Sequence, residues 1–197
     1  MKEGEKLFDK IIAIITALTA LTFPNSATAS ETDYKEPEQQ IIVMQEDKEV
    51  VQPSARELFK KYFPEEDYDE TVDVLSKVLR REAGVVKSTT NRACVIWCIL
   101  NRCDKGWRGN TPIECATARA QFCYRKNTKY SKKISDLVED VLYRWLREKE
   151  GEIDVGRVLP RDIIYFSGNG EINVFRYDYD INSKKYKKSV HSDVYGD

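Results

Sequence analysis

Apolar residues recur at helical spacing between residues 71 and 83. Val72, Leu75, Val78 and Leu79 have the spacing of one face of an α-helix. Glu82 lies three residues after Leu79 and therefore continues the same face. The pattern predicts a helix over 71–83 that carries one carboxyl group on an otherwise apolar face.

Capping signals predict two short helices. Ser54 and Glu57 have the spacing of a capping box, and Pro64 ends the short apolar pattern that follows them. Farther along, Thr111-Pro112 supplies an N-cap and a first-turn proline for a helix through IECATARA, residues 113–120. The folded part of the chain is therefore predicted to begin at Ser54.

Two longer segments are predicted to form the core. Residues 93–100 are apolar without interruption, which fits a buried helix or a buried strand. The capping cluster Ser-Thr-Thr-Asn before this run and Asn101-Arg102 after it favour the helix. Residues 134–149 form the clearest amphipathic helix of the chain. Its apolar face consists of Leu137, Val138, Val141, Leu142 and Trp145.

The pattern changes near the C-terminus. The segments RDIIYFS and EINVFRY are rich in aromatic and β-branched residues and flank Gly168-Asn169-Gly170, which is typical of a β-hairpin. Residues 178–197 are polar and basic, and they are either disordered or supply tyrosines to a groove. The predicted fold class is α+β, mainly α, with a small β-hairpin near the C-terminus.

The first 53 residues are predicted to lie outside the folded domain, 54–197. Residues 1–29 have the features of a signal peptide, with a mostly apolar run from Ile11 to Phe23 and a cleavage site after Ala27-Thr28-Ala29. An uncleaved anchor is the alternative, because three acids weaken the positive start. Residues 30–53 are acidic and contain two prolines, which predicts a flexible linker. The protein is therefore expected to be exported.

Composition and charge limit the number of domains but exclude few kinds of partner. The chain has 197 residues, 41% of them hydrophobic and 11% aromatic, which suffices for one core but not for a second large domain. Its formal net charge is -1. The part from residue 54 onward is mildly basic, which favours adsorption to an anionic cell wall or is simply an ordinary solvated surface.

The sequence does not show which of the five cysteines pair. An exported protein can form disulfides, but an odd number means that at least one cysteine stays free or pairs outside the chain. No Cys-x-x-Cys pair is present and the single histidine, His191, lies in the tail, so neither a metal site nor a cofactor is expected. Cys94 and Cys98 are expected to pack as small apolar residues on a buried helix.

The carboxyl group of Glu82 is a candidate general acid. Loss of solvation raises the pKa of a carboxyl group, which then keeps a proton near neutral pH and can donate it. Glycosidases use such a residue to protonate the leaving glycosidic oxygen. In the competing interpretation, Glu82 lies at the rim of the core, with its carboxylate in water or paired with Arg92 or Arg102.

Three motifs in this region resemble those of one enzyme family. They are Glu82-Ala83 at the end of one helix, Leu100-Asn101-Arg102 at the end of the next, and Gln121-Phe122 beyond it. Together with YFSGNGEINVFRY, they make residues 70–177 similar to the bacterial cell wall hydrolase family of the spore-cortex-lytic (SleB) type. The resemblance implies a lysozyme-like fold and cleavage of peptidoglycan, with Glu82 as the catalytic acid.

The chain departs from the family pattern around these motifs. Arg81 stands where the family has alanine, and residues 85–87 stand where a Gly-Glu pair is usual. Ala120 stands where a glycine usually precedes Gln-Phe, and cysteines replace core residues of the second helix. Glu82 is retained, and these departures bear on fine substrate choice and, to a smaller extent, on activity itself.

The resemblance implies a lytic transglycosylase. Glu82 would protonate the oxygen between N-acetylmuramic acid and N-acetylglucosamine and then take the proton of the muramic 6-hydroxyl, which gives a 1,6-anhydro sugar. This route needs one carboxyl group from the protein, whereas the common hydrolytic routes need two. Asp104, Glu114 and Glu171 are available as a second carboxylate, but no spacing selects any of them, and this favours the single-acid route.

Candidate substrate-binding residues surround these motifs. The Gln121 side chain can donate and accept hydrogen bonds, which suits an acetamido or hydroxyl group. The Phe122 ring either stacks on a sugar or fills the core. Four further aromatic residues are expected either to line the cleft or to belong to the core: Tyr124, Tyr165, Phe166 and Tyr177.

The expected partner is therefore the glycan strand of peptidoglycan. We expect a monomer in the secreted or cell wall compartment of a bacterium, without nucleic acid and without stable membrane insertion after signal cleavage. A hydrolytic muramidase is the nearest alternative. A secreted wall-binding module that kept the fold and lost the chemistry is the alternative from another class.

Overall fold

A computed structural model of the chain describes residues 52–180, 185 and 192–197. The predicted signal peptide, 1–29, and nearly all of the predicted linker, 30–53, lie outside the described residues. So does most of the polar tail that follows residue 180. Within the described part, no helix is long and apolar enough to cross a membrane.

Five α-helices make up most of the described fold. They are α1, Ala55–Tyr62; α2, Tyr68–Ala83; α3, Thr89–Asp104; α4, Pro112–Thr117; and α5, Lys132–Lys149. The predicted capping box is present, since the Ser54 hydroxyl accepts the Glu57 N–H and the Glu57 carboxylate accepts the Ser54 N–H. The Thr111 side chain caps α4 in the same way by accepting the Glu114 N–H.

Helix α3 lies at the centre of the core and contacts α2, α4 and α5. Every residue from Ala93 to Cys103 is buried, which is why its sequence lacks the polar stripe of a surface helix. The prediction of a buried helix rather than a strand is confirmed. Cys94 and Cys98 are buried on this helix, as expected.

The two strands form an antiparallel hairpin. Strand β1, Tyr165–Gly168, pairs with β2, Asn173–Arg176, and Phe166 lies opposite Phe175. The turn uses Gly170 at φ 92°, a conformation that glycine adopts without strain. The predicted fold class, α+β and mainly α with a small hairpin near the C-terminus, is confirmed at this level.

Three helix ends differ from the predicted ones. Helix α5 begins at Lys132 rather than at residue 134. Helix α2 begins at Tyr68 rather than at residue 71, because Asp67 accepts the Glu70 N–H and caps it. Helix α4 ends at Thr117 and does not continue to residue 120. The backbone turns there, with Ala118 extended and Ala120 at φ 59°.

A buried polar network fixes the segment that leads into β1. The Asn101 amide, at the end of α3, donates to the carbonyls of Pro160 and Ile163 at 2.8 Å each. Its oxygen accepts a hydrogen bond from Arg157 at 2.7 Å. Asn101 therefore has a structural role.

The same network holds the carboxylate of Glu148, which comes from α5. Glu148 is paired with Arg157 and Arg161. Burial disfavours the charged carboxylate, but the hydrogen bonds and charges of the two arginines outweigh this effect and lower the pKa of Glu148. The segment before the hairpin is thus tied to both α3 and α5.

Candidate functional site

Glu82 lies in the last turn of α2 and is half-buried. The backbone N–H of Cys123 donates to its Oε1 at 2.5 Å. Because this donor is part of the backbone, it orients the carboxylate without neutralising it. The bond also joins the end of α2 to the segment that carries Gln121 and Phe122.

Arg102 does not form the predicted pair with Glu82. Its Nε donates to the carbonyl of Ile164 at 2.7 Å, and its guanidinium lies over the rings of Trp107 and Phe122. Among the described residues, no arginine forms an ion pair with Glu82. The Glu82 carboxylate is therefore not closed over by a salt bridge with any described arginine.

The chain turns sharply between α4 and Glu82's backbone donor. Ala120 adopts φ 59°, in the left-handed region that disfavours a side chain, and the Gln121 N–H donates to the Ala118 carbonyl at 3.1 Å. This explains in physical terms why a glycine suits the position before Gln-Phe. The turn directs Gln121 toward a groove.

A groove of about 900 Å³ runs beside the hairpin. Its aromatic lining comes from Trp107 in the loop after α3, from Tyr165 and Phe166 in β1, and from Tyr179 beyond β2. The rings of Trp107 and Tyr165 meet edge to face, and so do those of Tyr165 and Tyr179. Such rings present flat apolar faces beside polar edges.

The polar lining of the groove is rich in arginine. Arg102 and Arg176 are almost fully buried, and Arg108 adopts φ 71° in the loop beside them. Arg176 donates to the Ser167 hydroxyl at 2.6 Å, whereas its buried Nε has no hydrogen-bond partner in the described structure. Burial lowers the pKa of Arg102, although a guanidinium stays charged at any physiological pH.

The predicted binding residues occupy different places. Gln121 and Tyr165 line the groove. Phe122 lies behind it, with its ring stacked on Phe166 and covered by the guanidinium of Arg102. Tyr177 is half-buried and packs against the core, as does Tyr124. Glu82 is not one of the described residues that line the groove. It is connected to the groove wall by its hydrogen bond with Cys123, in the segment that follows Gln121.

Several residues that line the groove were not predicted as site residues from the sequence. Trp107, Arg108, Arg176 and Tyr179 come from three separate segments, and only the tertiary fold brings them together. A signal was present in Gly-Trp-Arg-Gly, where a large ring lies in a glycine-rich loop. Tyr179 agrees with the alternative in which the tail supplies tyrosines to a groove.

Of the three carboxylates considered as second catalytic groups, two have other partners and one is exposed, and none of them is among the described residues that line the groove. Asp104 accepts hydrogen bonds from Trp145 and Lys149. Glu114 accepts the N–H of Asn110 at 2.7 Å, and Glu171 is exposed beside the hairpin turn. The structure instead brings two other carboxylates to the groove, Asp178 and Asp180, which the sequence did not single out.

A basic hollow lies beside the last turn of α2. It has a volume of about 600 Å³ and lies next to Arg80 and Arg81 of α2. Its other lining residues are Val85, Arg125, Asn127, Thr128 and Lys129. Arg81 also donates to the sulfur of Cys123 at 3.4 Å, which connects the hollow to the segment that carries Gln121.

The described residues contain no group of three or more His, Cys, Asp or Glu side chains that could hold a metal ion. The chemical groups at the site are therefore a positioned carboxylate, aromatic rings, guanidinium groups and one amide. Comparison of the chain with protein-family models, with curated proteins and with solved structures finds no significant match.

Proposed function

We propose that this chain is a lysozyme-like, peptidoglycan-cleaving enzyme whose general acid and base is Glu82. The observation that carries the proposal is the hydrogen bond from the Cys123 N–H to the Glu82 carboxylate at 2.5 Å. It couples the one carboxyl group on the apolar face of α2 to the segment that places Gln121 in the groove. The motif resemblance supports the same residue.

The groove suits a glycan strand, and the bond to be cleaved must lie beyond its Gln121 side, because Glu82 is not among the described residues that line it. Sugar rings have apolar faces formed by C–H groups, and these pack on aromatic rings such as Trp107, Tyr165 and Tyr179. Hydroxyl and acetamido groups need donors and acceptors, which Gln121 and the buried guanidinium groups supply.

In the favoured reaction, Glu82 acts twice. Its protonated carboxyl group first gives a proton to the bridging oxygen between N-acetylmuramic acid and N-acetylglucosamine, and the glycosidic bond breaks. The resulting carboxylate then removes the proton of the muramic 6-hydroxyl, whose oxygen attacks the anomeric carbon. The Cys123 N–H keeps the carboxylate oriented between the two proton transfers. The product carries a 1,6-anhydro end.

A hydrolytic muramidase is the second candidate. It is favoured by Asp178 and Asp180, which bring carboxylates to the groove wall, and hydrolysis by either common route needs a second carboxylate. The lack of a second carboxylate selected by spacing along the sequence therefore no longer favours the single-acid route. Mass spectrometry of the released fragments distinguishes the two reactions, because an anhydro end is one water lighter than a reducing end.

The decisive experiment compares two isosteric substitutions. Glu82→Gln keeps an oxygen that can accept the Cys123 N–H, but it has no proton to donate at neutral pH. We expect it to reduce the release of soluble muropeptides from purified walls by at least about 100-fold. Glu57→Gln is the matched control, since Glu57 also accepts a backbone N–H but lies in the capping box of α1, where glutamine serves equally well.

Both variants should keep the parent circular dichroism spectrum and the parent adsorption to wall fragments. If Glu82→Gln released muropeptides at the parent rate, Glu82 would not be the catalytic acid. If the parent protein adsorbed to walls but released nothing, the chain would be a wall-binding module rather than an enzyme.

A further inference from the structure

Two buried cysteines face the same loop of the groove wall. Cys103 is near the end of α3 and Cys115 is in α4. The Cys103 thiol donates to the carbonyl of Asn110 at 3.1 Å, and the Cys115 thiol donates to the carbonyl of Gly109 at 3.3 Å. Since these carbonyls belong to consecutive residues, the two sulfurs lie over one short stretch of backbone.

The two thiols also interact directly. The interaction between the two neighbouring thiol groups raises the pKa of Cys103 and lowers that of Cys115, which favours Cys115 as the thiolate of the pair. The nearby guanidinium of Arg102 acts in the same direction on Cys115. A thiolate is the form that attacks a disulfide.

We propose that Cys103 and Cys115 are a disulfide-forming pair that locks the loop between α3 and α4. The oxidant is an external disulfide of low molecular weight or of a thiol oxidoreductase. Cys115 is fully buried in the folded chain, so its thiol reacts while the segment that carries it is open, during refolding or local opening. Its thiolate attacks one sulfur of the oxidant and forms a mixed disulfide, and one thiolate leaves. Cys103 then attacks the Cys115 sulfur, the Cys103–Cys115 bond forms, and the second thiolate leaves. The two protons from the cysteines pass to the leaving groups, and the external disulfide is reduced by two electrons.

The other cysteines make a useful contrast. Cys94 and Cys98 are buried within α3, and burial raises the pKa of both thiols to about 12, which keeps them protonated. The Cys94 thiol donates to the Val158 carbonyl at 3.8 Å, on a different side of the core from the groove loop. Cys123 is half-buried, and its sulfur accepts a hydrogen bond from Arg81.

The Cys103–Cys115 disulfide would constrain a loop that lines the groove. The segment that it closes contains Trp107 and Arg108, and both residues line the groove. Arg108 holds a positive φ of 71° there, which the loop must maintain against an unfavourable backbone energy. Closing the loop removes conformations of the unfolded chain in which these residues are far from α4, so the oxidised form should be more stable.

The test uses the purified full chain, refolded or incubated with oxidised glutathione, then alkylated in denaturant and digested with trypsin without reduction. Trypsin cuts after Arg102, Lys105, Arg108 and Arg119, so the expected product is the peptide CDK joined to GNTPIECATAR. The intact protein should be lighter by two hydrogen atoms. Its melting temperature should exceed that of the reduced protein by about 5–10 °C.

Two variants make the result specific. Cys115→Ser should abolish both the linked peptide and the gain in melting temperature, whereas Cys94→Ser should keep both. The linked peptide is sought in the parent protein itself, so the proposal does not depend on either variant folding. Alkylation of all five cysteines after both treatments would overturn it, and so would a product in which these cysteines carry only glutathione. The inference does not rest on the proposed function.

Discussion

Replacing Ala120 by glycine should stabilise the protein, although the change removes a side chain. Ala120 adopts φ 59°, where the Cβ of an L-residue approaches the following carbonyl oxygen. The residue is exposed at the groove wall, so its methyl group contributes little burial. Glycine adopts the same backbone conformation without a clash.

The magnitude follows from two opposing effects. The left-handed conformation costs a residue with a Cβ roughly 1–2 kcal/mol. Glycine in turn loses more conformational freedom on folding, which costs about 0.4–1 kcal/mol. The free energy of unfolding should therefore rise by about 0.5–1 kcal/mol, and the melting temperature by about 1–4 °C in a domain of this size.

Urea unfolding followed by far-ultraviolet circular dichroism measures this change. Ala116→Gly is the matched control, because Ala116 is fully buried within α4 and has helical geometry. It should lower the free energy of unfolding by about 1–2 kcal/mol, since glycine disfavours a helix and a buried methyl group is lost. A loss of stability in Ala120→Gly as well would show that the backbone at residue 120 is not strained.

Three further predictions concern the buried network and the surface charge. Asn101→Ala should lower the free energy of unfolding, measured with urea, by about 3 kcal/mol, because it leaves buried groups without partners. Asn91→Ala, at a half-buried site with two backbone hydrogen bonds, should lower it by only about 1 kcal/mol. The lowered pKa of Glu148 stabilises the fold above its ordinary pKa of 4.5, and this contribution is lost as the pH falls through the folded value. The melting temperature of Glu148→Gln should therefore lie below that of the parent at neutral pH and approach it in acid; an equal gap at every pH would contradict this. Arg125→Gln in the basic hollow should lower the salt concentration that releases the protein from anionic wall fragments, whereas Lys60→Gln, which removes one charge from α1, should not.

Helix positions were largely predictable because their signals are local. The capping box at Ser54, the proline after Thr111 and the apolar run of α3 each specify an element within a few residues of sequence. The early start of α2 was missed because its cap, Asp67, precedes the apolar stripe by several polar residues. The end of α4 was missed because alanines favour a helix locally, whereas Ala120 is held in a turn by the rest of the fold.

The candidate site was predictable only in part. Glu82 and Gln121 carry patterns that can be found along the chain, in one case by periodicity and in the other by resemblance. The groove cannot be found in this way, because its wall combines the loop at Trp107, strand β1 and the residues around Tyr179. The proximity of Cys103 and Cys115 has the same origin, since it depends on how α4 packs against α3.

The Asn101-Arg102 motif at the end of α3 does not by itself indicate a shared activity. Asn101 binds the backbone of the segment before β1, and Arg102 binds the Ile164 carbonyl while its guanidinium covers two rings from other segments. These two side chains therefore assemble the groove wall whether or not any bond is cleaved there. A protein that only bound glycans would need them equally.

Glu82 is different in this respect. Its one described hydrogen bond, from the Cys123 N–H, needs an acceptor oxygen and not an acid, so glutamine would serve the fold as well as glutamate does. A carboxylic acid is required at this position only if a proton is transferred. The comparison of Glu82→Gln with the parent therefore separates the catalytic requirement from the structural one, which substitution of the helix-end motif would not do.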